Sequence, residues 1–150
     1  MGSILHLNRL IALSFAVFFV LLTSCHRYGK SGTNAPEIIQ IVDGDITSGT
    51  LQIEDVNGKS ANIFNVHRGA DIRWLLGHNQ LVTKITNIYK KPSSESDNVF
   101  SVLPDSIGGS LNWRATIDKK AGGKTEDYNI DWIDKNGQSH TFDPKIKVMP

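Results

Sequence analysis

Beyond Pro36, apolar and polar residues alternate in short runs and never settle into a helical period. That pattern constrains the fold more than any other feature of the chain. "TLQIE", "DIRWLL", "LVTKITNIYK", "VFSVL", "LNWRATI", "YNIDWI" and "HTF" each read as strands, rich in β-branched and aromatic residues. Asn57-Gly58 and Asn136-Gly137 mark two hairpins, where a type I′ turn would place both central residues at positive φ. "KPSSESDN", "PDSIGGS" and "KKAGGKT" read as loops. About eight strands at this spacing predict an all-β fold, an antiparallel β-sandwich or barrel. One helical turn within "RGADIRWLLGHN" stays open as an alternative.

The phase of the strands selects a core. Leu111, Trp113, Ala115 and Ile117 share one face of their run, and Tyr128, Ile130 and Trp132 share one face of theirs. Trp74 is expected to pack against both from the other sheet. The competing reading of the tryptophans is an exposed carbohydrate platform. Trp113 and Trp132 are in phase with apolar neighbours and read as core, whereas Trp74 stays open as a binding residue.

The first 24 residues follow other rules. Arg9 is their one formal charge, the uncharged stretch Leu10–Leu22 follows, and Thr23 and Ser24 precede Cys25, the sole cysteine. A basic start, a short apolar run and small exit residues make a secretory signal. The run is too short to span a bilayer, which takes about 20 residues. "LTSC" resembles the bacterial lipobox, and the resemblance implies that Cys25 is lipidated and becomes the first mature residue. An uncleaved anchor with an incidental cysteine is the alternative. Residues 25–36 then form a tether of roughly 20 Å, leaving 37–150 as the domain. His26 stands where an inner-membrane retention signal would carry Asp, so the expected location is the outer membrane, facing the periplasm.

The domain itself is similar to a cupredoxin-like sandwich, through "GADIRWLL", then Trp113 to Ile117 and Tyr128 to Trp132; an immunoglobulin-like sandwich is the alternative. The ending "DYNIDWIDKNGQSHTFDPKIKVMP" also resembles small uncharacterised secreted bacterial proteins. A blue-copper centre needs a thiolate beside two histidines, and Cys25 is committed to the anchor, so no such cofactor is expected. Of His67, His78, His140 and Met149, which the chain does offer, His78 and His140 could still serve a thiolate-free copper or zinc site if they converge, and His67, His78, His140 and Asp143 are the candidate set for a metal handler or small enzyme. "DGDITSGTLQIE" imitates a calcium loop through Asp43, Asp45, Thr47 and Glu54, but Ser48 stands where the sharp turn needs Gly. "GGKT" at 122–125 ends like a P-loop, yet Asp118 occupies the position of its first Gly and a strand pattern follows.

Charge excludes one class of partner. Arg9 is among the 16 basic residues; without it the basic and acidic counts are equal, against 15 acidic residues. No run of one sign appears, so nucleic acid is not an expected partner. Two functions remain. One is a non-catalytic binding module for an envelope protein, a glycan or an incoming toxin. The other is a metal handler or small envelope enzyme using the histidines.

Overall fold

The computed structural model describes residues 35–77 and 81–150. Cys25 and the tether up to residue 34 lie outside the described residues, as does His78. Ten strands are described: β1 (Glu37–Asp45), β2 (Thr50–Glu54), β3 (Ile63–Val66), β4 (Asp71–Leu76), β5 (Val82–Lys90), β6 (Phe100–Ser106), β7 (Trp113–Ile117), β8 (Thr125–Asp134), β9 (Ser139–Phe142) and β10 (Lys145–Val148). "DIRWLL" is a strand and carries no helical turn.

The strands form a β-sandwich of two sheets. One has the order β2-β1-β4-β7-β6; the other has β3-β10-β8-β5, with β9 also paired to β8. Most neighbours are antiparallel, but β1 runs parallel to β4 and β10 runs parallel to β3. The sheets are therefore mixed, where alternation alone suggested antiparallel ones. Their inner faces supply the core: Ile39, Ile41, Ile72 and Trp74 from the first sheet, and Tyr128, Ile130, Trp132 and Ile146 from the second, all fully covered. Burial of such side chains contributes roughly 1.5–3 kcal/mol each relative to exposure.

Bulges decide which residues reach that core. Val82, Ile85 and Ile88 are spaced by three, and a regular strand would send them to alternate faces. The β5–β8 register shifts between Val82 and Lys84 and again between Ile85 and Asn87. One extra residue in each interval turns all three inward, opposite Asp134, Trp132 and Ile130.

Both Asn-Gly pairs do form turns, but not of type I′. Gly58 and Gly137 have φ of 74° and 81°, while no non-glycine among the described residues has positive φ. In each turn the glycine amide donates to the carbonyl three residues back, Asp55 or Asp134, at 3.0 Å. The aspartate carboxylate accepts the amides of Asn57 and Lys59 in one turn and of Asn136 and Gln138 in the other. This is a three-residue loop closed by a glycine bulge, selected by the Asp two residues before Asn. The turn at Gly137 closes the β8–β9 hairpin, whereas the turn at Gly58 leads the chain from β2 to β3 in the opposite sheet.

Two core placements differ from expectation. Trp74 lies beside Trp113 in the same sheet, as its direct cross-strand partner, and faces Tyr128 across the sandwich at a ring separation of 6.0 Å. Leu111 is 51% exposed. It precedes β7, in a loop closed by the Ile107 amide donating to Asn112, so the phase of the strand does not govern it.

Candidate functional site

The outer face of the first sheet is where the chain departs furthest from what packing requires. Alternation in β4 buries Ile72 and Trp74 and turns Asp71 and Arg73 to solvent. In β7 the same alternation buries Trp113, Ala115 and Ile117 and presents Arg114 and Thr116. β6 breaks the rule. Phe100 packs on the core, and a regular strand would place Val102 on the same side. The β6–β7 register shifts between those two residues, so Val102 stands opposite outward-facing Thr116 and is 55% exposed. A second irregularity, between Val102 and Asp105, projects Leu103, which is 74% exposed. Such bulges re-aim side chains at the rims of sheets.

The result is a groove of about 310 Å³ along β4, β7 and β6. Arg73, Arg114, Asp71 and Asp105 supply its polar surface, and Val102 and Leu103 its apolar lip. Arg73 and Arg114 are direct cross-strand partners. Among the described residues neither guanidinium has an ion pair or a hydrogen bond. The Asp71 carboxylate instead accepts the Thr116 hydroxyl at 2.8 Å, and that of Asp105 accepts the Ser106 amide at 2.8 Å. The groove thus offers a ligand two guanidinium groups, two carboxylates and an apolar lip.

The residues picked from sequence lie elsewhere. Trp74 is fully buried, its indole N–H donating to the Tyr128 hydroxyl at 3.3 Å, and presents no surface to a partner. His67 is exposed and meets the Glu37 carboxylate at 2.7 Å, at the start of β1. His140 is largely covered, and its ring stacks on Trp132 at 4.4 Å. It sits beside Gly49, past the far end of β1. A strand the length of β1 spans about 25–30 Å, so His67 and His140 do not converge. No group of three metal-ligating side chains occurs among the described residues. Asp143 pairs with Lys91, not with His140. Asp43 to Glu54 form the β1–β2 hairpin, in which the Asp45 carboxylate accepts the Thr47 amide. "GGKT" is a loop fastened by the Gly123 amide to the Val148 carbonyl.

Sequence reasoning also passed over two buried carboxylates, Glu126 and Asp134, at opposite ends of the inward face of β8. Burial pushes the Glu126 carboxyl up, against the Val99 amide that donates to it at 2.7 Å. Burial also acts to raise Asp134, but the amide of Gln138, the ring of His140 and the amide of Asn136 outweigh it and hold this carboxyl below its ordinary value. The linkage signs are opposite. Asp134 contributes stability that is present above about pH 3.8 and is lost as pH falls through its lower native value. Glu126 lowers stability while ionised, and that cost disappears as pH falls from its raised native value toward 4.5. Urea midpoints measured from pH 7 to pH 3 should show both. Glu126→Gln should remove the gain on the upper part of the descent, and Asp134→Asn should flatten the loss at its acid end. Profiles parallel to wild type would contradict these assignments.

No protein-family model matches the chain, and no curated protein matches it.

Proposed function

We propose that this protein is a lipid-anchored cell-envelope protein whose β-sandwich is a non-catalytic binding module, with the β4-β7-β6 face as its binding surface. The observation that carries this reading is the pair of β6 irregularities. They expose Val102 and Leu103 beside two unpaired arginines, where simple alternation would have turned Val102 toward the core. Exposed apolar residues grouped in a concavity with polar partners favour recognition over mere solvation. The anchor reading rests on "LTSC" after an uncharged run, and the expected place is the outer membrane, facing the periplasm. Within the sandwich class, a cupredoxin-like arrangement without a redox centre is preferred. Two parallel pairings favour it over the immunoglobulin arrangement, whose sheets are antiparallel.

Two measurements test the parts separately. Cys25→Ser should release the protein from membranes or leave the precursor uncut, because two or more acyl chains are what anchor stably. A variant that fractionates and migrates like wild type would remove the anchor. For the face, crosslinking in intact envelopes should lose its product in Leu103→Asp, a change at an exposed position that leaves the core alone. Undiminished crosslinking would move the binding surface elsewhere.

A further inference from the structure

The chemistry of the groove identifies what it takes. Like charges directly opposite each other weaken an antiparallel pair, yet Arg73 and Arg114 face each other across β4 and β7. Asp105 is the cross-strand partner of Arg114 on its other side, yet its carboxylate accepts the Ser106 amide and that of Asp71 accepts the Thr116 hydroxyl, and neither closes an ion pair with an arginine. A guanidinium fork matches a planar carboxylate in a bidentate way that an ammonium does not. Beside the two forks stand Val102 and Leu103, apolar and more than half exposed.

We propose that Arg73 and Arg114 together bind the carboxylate of a Glu or Asp side chain on a partner protein, while an adjacent apolar side chain of that partner rests on Val102 and Leu103. This rests on the reading of the β4-β7-β6 face as the binding surface and names its ligand. A glycan platform would need exposed aromatic rings, and Trp74, Trp113 and Trp132 are all buried. An anionic membrane would lay a plane of charge across the whole groove, in which Asp71 and Asp105 offset Arg73 and Arg114, whereas a single carboxylate can meet the two adjacent guanidinium groups alone. Addition of a strand to β6 is also disfavoured. Pro104 lacks a backbone donor and the two irregularities break the edge, devices that block edge pairing. The partner is recognised by its side chains.

The test uses the full chain in detergent micelles and a fluorescently labelled acetyl-Leu-Glu-Leu-amide, read by anisotropy against acetyl-Leu-Gln-Leu-amide. The glutamyl peptide should bind saturably and at least tenfold more tightly than the glutaminyl one. Arg73→Gln and Arg114→Gln should each lose that tenfold preference with a melting temperature no lower than wild type, and Arg68→Gln, outside the groove, should keep it. Equal binding of both peptides, no saturable binding, or full retention in Arg114→Gln would overturn the proposal. Inorganic phosphate competing at lower concentration than the glutamyl peptide would overturn the choice of a carboxylate. Envelope crosslinking separates this inference from the one beneath it. Loss in Leu103→Asp but not in Arg114→Gln sinks the carboxylate assignment and leaves the binding face; loss in neither sinks both.

Discussion

Trp74→Ala should lower the melting temperature by roughly 12–20 °C, the largest single effect expected in this domain. Trp74 is fully buried and lies between the Tyr128 ring at 6.0 Å and the Phe100 ring at 6.4 Å. Truncating a buried tryptophan costs about 3–5 kcal/mol, since the cavity closes only in part. At roughly 4 °C per kcal/mol for a domain of this size, that gives the stated shift. The change also removes the donor to the Tyr128 hydroxyl, which is wholly buried and whose own ionisation burial suppresses. Trp74→Phe keeps a ring but not the N–H, so it should fall between wild type and Trp74→Ala. Thermal unfolding by circular dichroism distinguishes this from a surface role: a Trp74→Ala protein with the wild-type melting temperature would put the ring outside the core.

The sequence made the regular parts of this fold legible and hid the irregular ones, for a physical reason. β2 and β4 coincide with "TLQIE" and "DIRWLL" because strict alternation in a half-buried strand leaves a period of two. Glu37–Asp45 shows no such period. Its inward residues Ile39, Ile41 and Gly44 are spaced by two and then three, because the β1–β2 register shifts between Ile41 and Asp43. β3 is short and turns Ile63 to solvent, and β10 follows Pro144, which reads as a stop. The groove was hidden by the same cause. Nothing in "FSVLPDS" marks the residue at which the strand changes face, and Pro104 reads as the start of the loop "PDSIGGS", although β6 runs on to Ser106. Asp134 was the exception, since its signal was available. The pattern Asp-x-Asn-Gly occurs at 55–58 and at 134–137, and the carboxylate two residues before each Asn selects the turn.

Gly44→Val is the second large effect, and it follows from the irregularity in β1. The shift between Ile41 and Asp43 rotates Gly44 inward, so that "DGD", which reads as a turn, lies within a strand. A Cβ at residue 44 would stand 2.9 Å from Trp132 Cη2 and 2.9 Å from Val82 Cγ2, closer than two carbons can pack. The glycine is there to admit the indole of the facing sheet, not to permit an unusual φ. Overfilling such a site costs typically 1–3 kcal/mol, and the branched Val belongs at the upper end, or about 10 °C in melting temperature at the same conversion. The indole cannot retreat freely. Its N–H donates to the Gly49 carbonyl at 3.2 Å, and His140 stacks on the ring and bonds the buried Asp134 at 3.1 Å. Displacing Trp132 should therefore loosen both the β1–β2 turn and the β8–β9 hairpin. The Trp132 indole N–H resonance should shift in Gly44→Val, with amide exchange rising near Gly49 and Gln138 but not near Trp74. A variant with wild-type stability and an unmoved indole resonance would mean that residue 44 does not face Trp132.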